Sequence, residues 1–440
     1  MRYLSHSDAD RREMLASIGV ASIDELFADI PAAVTDRFRP LGLKGRSEQE
    51  VVSTLADSAG RNSAADAVCF AGGGVYDHYA PSLVDHVLLR SEFFTAYTPY
   101  QPEVSQGTLT AMFEFQTMIC ELTGMDVANA SLYDGATAVA EAALMAERLK
   151  HRGRIAAAGS LFANVRRVLG TYCWASGIEI VDLPHRPSGV CDLSDVPEDV
   201  AAIVLQSPNA FGVIEPLDGV KERIGDALLI VSANPISLGV LEPPGAFDAD
   251  IVVGEGQPLG LPMAYGGPLL GLFASKTEYL RQIPGRVSGR TVDVDGSVGY
   301  TMAAQTREQH IRRERATSNI CTNSALCALA ATVYLATIGA GGLRRVAELC
   351  AEKAHYLADR IAALDGFDLP FSGAFFNEFV VRVPGDASAL HRRLLDAGYL
   401  ADSPDAVRAF GVENALRIAV TERRSREELD RFVDQLGGAR

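Results

Sequence analysis

Short runs of aliphatic residues recur through the middle of the chain and alternate with stretches whose apolar positions have helical spacing. The runs lie at residues 154–160, 178–183, 201–207, 227–232, 250–255 and 268–275. Strands that are buried on both faces have this near-continuous Val, Ile and Leu content, and their alternation with helices is typical of βαβ units. The pattern therefore predicts a large α/β domain with a mostly parallel sheet.

The chain before this domain reads as an N-terminal helical segment, which we place at residues 1–65. Ser22 with Glu25, and Ser47 with Glu50, have the spacing of the capping box that begins a helix. The predicted large α/β domain then spans residues 66–323.

The chain after it, residues 324–440, predicts an interdomain helix followed by a smaller α+β domain. The apolar run 324–343 has helical spacing, and the glycines within 339–342 are expected to end that helix. Two aliphatic runs further on predict strands at 379–384 and 415–420.

Composition excludes some classes of protein. The 440 residues carry a net charge of −16, which argues against a nucleic-acid partner because proteins that bind phosphate backbones usually present a basic face. The seven cysteines are scattered and form no CxxC pair, so we expect buried thiols and no metal site. We find no apolar leader at the start and no apolar run of about 18 residues. We therefore expect a cytoplasmic protein with no membrane partner.

The segment YTPYQPEVSQG, residues 97–107, concentrates polar side chains just before an amphipathic helical run. Pro99 and Pro102 each fix φ and push the preceding residue out of the α region, so we predict a stiff extended loop. Such a loop presents hydrogen-bonding groups to a ligand or partner. The alternative is an interdomain strap whose tyrosines pack against the next domain.

Three further segments each have two interpretations. The turn at 134–137 begins a helix and suits either a bound anion, such as a cofactor phosphate, or a simple N-cap by Asp134 or Thr137. The Gly- and Pro-rich run 254–268 is a large surface loop or a loop packed into an interface, and its apolar residues favour the interface. The charged run 305–319 predicts a helix that is either solvated and salt-bridged or a docking patch for an acidic partner, and we assign its histidine, His310, no catalytic role.

Several long motifs resemble the P-protein of the glycine cleavage system, in particular its N-terminal subunit, subunit 1, where the enzyme is split in two. They occur in the family's order, between about residue 70 and 380, and read YTPYQPEVSQGTL, FEFQTMICELTGMDVANASLYDGATA, QSPNAFGVIE, ADIVVGEGQPLG, EQHIRRERATSNICTN and FFNEFVV. The resemblance implies a pyridoxal-phosphate transferase fold of the aspartate aminotransferase type, α/β with a mostly parallel seven-stranded sheet and a smaller C-terminal α+β domain. It also implies decarboxylation of glycine and transfer of the aminomethyl group to the lipoyl arm of the H-protein.

The resemblance also shows where this chain departs from a cofactor-binding subunit. Counting back from Pro268 as in the companion subunit places Gln257 where the Schiff-base lysine is expected, and the chain has only five lysines. The acidic residue for the pyridine nitrogen is missing from the turn at 231–234. The family therefore implies that no cofactor is bound by this chain and that pyridoxal phosphate is held by subunit 2 in an α2β2 heterotetramer, with glycine and the lipoylated H-protein as the other partners. The residues expected to complete the partner's active site are Tyr97, Thr98, Tyr100, Gln101 and Glu103.

Two other functions stay open from the sequence. A self-sufficient pyridoxal-phosphate enzyme, an aminotransferase or a lyase, would use a lysine outside the expected position. A non-catalytic scaffold subunit would contribute nothing to an active site.

Overall fold

The computed structural model describes residues 6–307 and 309–438, which divide into two compact units, one ending at Ser63 and the other beginning at Ala64. The first unit contains three helices, α1 (Asp8–Ile18), α2 (Ala32–Thr35) and α3 (Glu48–Ala59). The capping box of Ser47 and Glu50 begins α3 as expected. Ser22 and Glu25 instead bracket the start of a short 3-10 turn, Asp24–Phe27. None of the residues from 6 to 63 is buried, so this unit has no hydrophobic core of its own.

The second unit contains the remaining helices and all the strands. In chain order they are β1 (Val68–Phe70), α4 (Ser82–Leu88), α5 (Ser91–Phe94), α6 (Gln106–Thr123), β2 (Val127–Ala128), α7 (Gly135–Lys150), β3 (Arg154–Ala158), α8 (Ala163–Ser176), β4 (Glu179–Leu183), β5 (Ala202–Ser207), α9 (Val220–Ile224), β6 (Leu228–Ala233), β7 (Ile251–Glu255), β8 (Gly271–Ser275), β9 (Val287–Val292), β10 (Val298–Ala303), α10 (Gln309–Arg312), α11 (Ala325–Ala362), β11 (Glu378–Arg382), α12 (Ala387–Asp396), β12 (Tyr399–Ala401), α13 (Asp405–Arg408), β13 (Ala415–Ala419) and α14 (Arg426–Gly437).

A seven-stranded sheet forms the centre of this unit, in the order β2-β8-β7-β6-β5-β3-β4. The neighbours from β4 to β7 pair in parallel, and β8 is antiparallel to both β7 and β2. The six strands predicted from the aliphatic runs are all present. Every residue of β5 and β6 is buried, as expected for strands covered on both faces. The seventh strand, β2, has two residues, which is too short to give a sequence pattern.

The C-terminal part adds a second core beside the sheet. The two predicted strands are present as β11 and β13, which pair antiparallel, and β1 pairs in parallel with β12. Apolar residues of α11, α12 and α14 pack with these strands into a cluster separate from the core of the main sheet. The predicted α+β character of this region is therefore correct.

The predicted end of the helix at residues 339–342 is confirmed for the first segment of α11, which stops at Gly339, where φ is 62° and ψ is 179°. The sequence did not predict that a second helical segment follows directly across this kink and runs to Ala362. A left-handed φ is accessible to glycine without a Cβ penalty, so the chain kinks there and resumes its helix. By length and composition alone α11 is apolar enough to cross a membrane. It contributes buried residues to both cores, which is the arrangement of a core helix.

The predicted charged helix at 305–319 is also wrong. Two 3-10 turns, Gln305–Arg307 and Arg313–Arg315, flank the four-residue α10, and Arg313 has a φ of 53°. Glu308 lies outside the described residues. A hairpin of β9 and β10, which the aliphatic pattern did not predict, precedes this region.

Candidate functional site

A cavity of about 260 Å³ lies at the carboxyl ends of β5, β6 and β7. The start of α7, the segment Gly73–Tyr76 and the loops that follow these strands form its walls. Ligands of open α/β sheets bind at this edge, because the strand ends and helix N-termini leave backbone groups unpaired there. The cavity is therefore the first place to test for a cofactor.

Gln257, the residue at the expected lysine position, is completely buried beside this cavity. Its Oε1 accepts a hydrogen bond from the Tyr76 N–H at 2.9 Å. Its Nε2 donates to the carbonyl oxygens of Tyr76 at 3.0 Å and Leu261 at 2.7 Å. The amide thus joins two backbone segments and has no N–H donor left for a ligand.

Glu255, at the end of β7, faces the first turn of α7. Its Oε2 accepts from the Gly135 N–H at 2.9 Å, and its Oε1 accepts from the N–H groups of Gln257 at 2.9 Å and Leu270 at 3.0 Å. Burial raises the pKa of this carboxyl to about 7, although the three N–H donors oppose that shift. Asp134 caps the same helix by accepting from the Thr137 N–H at 2.7 Å, so the N-cap interpretation of this turn is confirmed.

A buried ion-pair network lies behind the Gly73–Tyr76 wall of the cavity. The Arg417 Nε lies 2.7 Å from Asp402 Oδ2 and 3.1 Å from Glu378 Oε1. Glu378 also accepts hydrogen bonds from the Gly73 N–H at 2.7 Å and the Tyr76 hydroxyl at 3.2 Å. Burial raises the pKa of Glu378 to about 7, against the lowering effect of Arg417. The charge of this arginine is therefore already balanced by two acidic side chains of the chain itself.

The turn after β6 supplies amide and hydroxyl groups instead of an acid. Ser232 and Asn234 line the cavity, and the Asn234 Nδ2 has no hydrogen-bond partner in the part of the chain that the structure describes. Among the same residues, no lysine lines the cavity. With Glu255 at the helix start and an amide at position 257, the residues present do not fit a covalently held pyridoxal phosphate.

The predicted site loop lies away from these cavity walls. Residues 96–101 have no regular secondary structure, a 3-10 turn follows at Pro102–Val104, and α6 begins at Gln106, as predicted. The side chains of Tyr97 and Tyr100 are 83% and 50% exposed. The remaining predicted residues lie on the same loop, where Gln101 and Glu103 are exposed and Thr98 is half-buried. The loop brings these five residues together and presents them outward. The alternative interpretation, an interdomain strap whose tyrosines pack against the next domain, does not fit this exposure.

The loop is held in place at its C-terminal end. The Gln106 Nε2 donates to the carbonyl oxygens of Pro102 at 2.7 Å and Tyr300 at 2.8 Å, and the Gln106 Oε1 accepts from the Tyr300 N–H at 2.9 Å. These bonds fix the 3-10 turn to β10. The C-terminal end of the loop is therefore tied to the hairpin of β9 and β10.

Sequence reasoning missed two residues. Arg286 is 5% exposed, its guanidinium carbon lies 6.0 Å from the centre of the Tyr100 ring, and its Nε has no hydrogen-bond partner among the described residues. Glu255 was missed as a ligand of the α7 start. The positions of Arg286 and Glu255 become notable only through contacts with distant segments, and no local sequence pattern identifies these two residues.

The loop at 254–268 divides into two parts. Leu259 and Leu261 are buried in the chain's own core, whereas Tyr265 is 76% exposed at a tip with positive φ. The apolar residues Leu259 and Leu261 are thus buried within the chain itself, and an interface at the exposed tip stays a prediction.

His78, Cys350 and Glu422 bring three metal-ligand atom types within 4.8 Å of one another in the core. A 2.6 Å hydrogen bond between His78 Nδ1 and Glu422 Oε2 accounts for part of this closeness. Burial raises the pKa of the Cys350 thiol well above its usual value. The cluster is explained as packed, hydrogen-bonded core residues.

Comparison with known proteins agrees with the resemblance seen in the sequence. The family model for the glycine cleavage system P-protein matches residues 1–436. The probable glycine dehydrogenase (decarboxylating) subunit 1 of Carboxydothermus hydrogenoformans is 49% identical over 449 residues, with 100% of both chains covered. That of Prosthecochloris aestuarii is 50% identical over 444 residues, with 99% of both chains covered.

Solved structures show the same relationship. A crystal structure of glycine decarboxylase (P-protein) of the glycine cleavage system, in inhibitor-bound form, superposes with a TM-score of 0.93 at 42% identity, with 100% of both chains covered. A sphingosine-1-phosphate lyase of Burkholderia pseudomallei superposes with a TM-score of 0.65 at 16% identity over 94% of this chain and 93% of the lyase, which shows the fold alone. The predicted pyridoxal-phosphate transferase fold is therefore correct, and the chain belongs to the glycine cleavage system P-protein family.

Proposed function

We propose that this chain is subunit 1 of a glycine decarboxylase and that its Tyr97–Glu103 loop completes an active site on subunit 2. Its relatives are named subunit 1, which implies a second subunit. In this proposal subunit 2 holds the pyridoxal phosphate in an α2β2 heterotetramer in the cytoplasm. The cofactor would supply the electron sink for decarboxylation of glycine, and the aminomethyl group would pass to the lipoylated H-protein.

The observation that carries this proposal is the exposure of the aromatic and polar side chains of the loop. Side chains of Tyr97 and Tyr100 would lose water-accessible aromatic surface on contact with a partner, and residues of this type are enriched at interfaces. Gln106 ties only the C-terminal end of the loop, at Pro102, to Tyr300. In the proposed site the tyrosines and Gln101 orient glycine and cofactor, and Glu103 holds a neighbouring donor.

The guanidinium of Arg286 supports the same placement. No carboxylate of the described residues lies within salt-bridge distance of it, although its side chain is almost completely buried. A buried charge without a partner is costly, and an anionic group brought by the partner or by glycine would remove that cost. We therefore include Arg286 in the proposed interface site.

The N-terminal unit supports a large contact with subunit 2. Its apolar side chains, among them Phe27, Phe38 and Leu41, are exposed, and residues 6–63 include no buried position. Monomeric proteins rarely leave this much apolar surface uncovered, so we propose that subunit 2 covers it.

The test uses both subunits purified separately and together. In the reconstituted enzyme, Tyr100→Phe and Glu103→Gln are expected to lower glycine–bicarbonate exchange by at least tenfold, because each removes a polar group placed at the reacting centre. Glu222→Gln, an exposed change on α9, is the control and should leave the rate unchanged. Size-exclusion chromatography verifies that each variant still assembles.

The outcomes also separate the alternatives. Wild-type rates for both loop variants would contradict a catalytic role of the loop, and full activity of subunit 2 alone would favour a scaffold subunit. An aldimine absorbance from the isolated chain would favour the self-sufficient enzyme.

A further inference from the structure

The first turn of α7 is organised as an anion site. Helix N-termini carry unpaired N–H groups and the positive end of the helix dipole, so they attract phosphates and carboxylates. Here the N–H of Gly135 donates to Glu255, and the N–H of Thr137 donates to Asp134. Two carboxyl groups of the chain itself therefore already lie where an anion from outside would bind.

The Glu255 carboxyl is bound on both oxygens. Three backbone N–H groups, from the start of α7, from Gln257 and from Leu270, donate to it at 2.9 to 3.0 Å. Two of these donors, on Gln257 and Leu270, hold the carboxyl in place next to the helix start. A phosphate that bound the Gly135 N–H would have to displace this carboxyl, which is tethered to the same chain.

The backbone around this carboxyl is also closely packed. A Cβ on Gly135 would lie 2.8 Å from the Glu255 nitrogen and 2.9 Å from the Glu255 Cβ, which is closer than side-chain atoms tolerate. The glycine thus lets the end of β7 approach the helix start. No room remains between them for a phosphate group.

We infer that the Glu255 carboxyl group is a permanent, built-in occupant of the anion position at the start of α7 and that it excludes phosphate-bearing ligands from this cavity. The inference rests on the proposed function and deepens it, since it gives a physical reason why the cofactor would be held by subunit 2. A negative phosphate would in addition be repelled by Asp134, which caps the same turn.

The test measures the thermal unfolding midpoint of the full-length chain in increasing inorganic phosphate, with chloride at equal ionic strength as the reference. We expect no phosphate-specific change for the wild type. Glu255→Ala is expected to lower the midpoint, and phosphate should then raise it in a saturable way, because a ligand that binds only the folded state stabilises it. If Glu255→Ala does not fold, the same phosphate dependence of the unfolding midpoint is measured with Glu255→Ser.

Glu215→Ala is the matched control. Glu215 is a buried acid whose pKa is likewise raised by burial, and its Oε2 accepts from the Cys191 N–H at 2.9 Å, but it does not face a helix start. Its removal should lower the midpoint without rescue by phosphate. Equal rescue of both variants would overturn the inference, as would phosphate-specific stabilisation of the wild type or a lack of rescue for folded Glu255→Ala.

Glu255→Gln separates occupancy from charge. The amide fills the same space without the negative charge, and its single oxygen can still accept from Gln257 and Leu270 while its NH2 lies against Gly135. Because the space stays filled, equilibrium dialysis should detect no phosphate bound to this variant. Binding of phosphate to Glu255→Gln would contradict occupancy as the cause of exclusion. None of these experiments measures glycine decarboxylation, so their failure leaves the proposal for the Tyr97–Glu103 loop in place.

Discussion

Replacement of Gln257 by leucine tests whether the amide beside the cavity is a structural connection. Leucine has a similar volume but cannot make the three hydrogen bonds of the Gln257 side chain to Tyr76 and Leu261. Both partner residues are buried, so their backbone groups would lose their partners without access to water. Each such loss costs about 1 to 3 kcal/mol, and with some relaxation we expect the free energy of unfolding to fall by about 3 to 5 kcal/mol.

Gln106 offers a control of the same residue type. It also makes three side-chain hydrogen bonds to backbone groups, but it is exposed, so water can replace each bond. Gln106→Leu should therefore cost no more than about 1 kcal/mol. Urea unfolding followed by circular dichroism compares the two variants, because the single tryptophan, Trp174, is exposed and reports poorly on the core. If the two substitutions cost the same within about 1 kcal/mol, the argument from buried hydrogen bonds is refuted.

Three further predictions concern residues in and behind the walls of the cavity. Because the pKa of Glu255 is raised from 4.5 to about 7, the stability from its neutral form is present below pH 4.5 and is lost as the pH rises to about 7. In Glu255→Gln the free energy of unfolding should therefore fall less between pH 4.5 and about 7, by up to about 3 kcal/mol. Urea unfolding at a series of pH values measures this, and the same dependence on pH in the variant and the wild type would contradict the raised pKa of Glu255. Arg417→Gln leaves Glu378 and Asp402 without their cation, so the free energy of unfolding in denaturant should fall by about 3 to 5 kcal/mol. A fall below about 1 kcal/mol would contradict the importance of these ion pairs. Gly135→Ala places a Cβ against Glu255, so its unfolding midpoint should fall by several degrees in a thermal scan, and a wild-type midpoint would show that the helix start can shift.

The sheet was predictable because its strands are buried on both faces and thus have continuous aliphatic sequences, as β5 and β6 illustrate. The hairpin of β9 and β10 was missed, although the pair Asp295-Gly296 between two alternating runs is a hairpin signal. The helix expected at 305–319 fails because Arg307 donates its hydrogen bonds to the carbonyls of Ile283 and Gly285, a tertiary contact that charge spacing does not reveal.

The candidate site was predictable only in part. The loop at 97–103 has a local signature in its prolines and polar residues, and its exposure followed from that pattern. The contact between Glu255 and the start of α7 joins residues 120 positions apart. Nothing local distinguishes Glu255 from any other acid at the end of a strand, so this contact required the three-dimensional structure.

Helix α11 connects the stability of the sheet to that of the C-terminal strands. Its residues Leu343, Ala347 and Cys350 lie in the core of the main sheet, and Ala354 and Leu357 lie in the second core. The change from one core to the other takes place within about one helical turn, and helix formation is cooperative over that length. If one core unfolds, the part of α11 that packs in it loses its helical structure, and this frays the adjoining part that packs in the other core. The two cores should therefore unfold in one transition, and a substitution that weakens the C-terminal strands should lower the midpoint of the whole second unit.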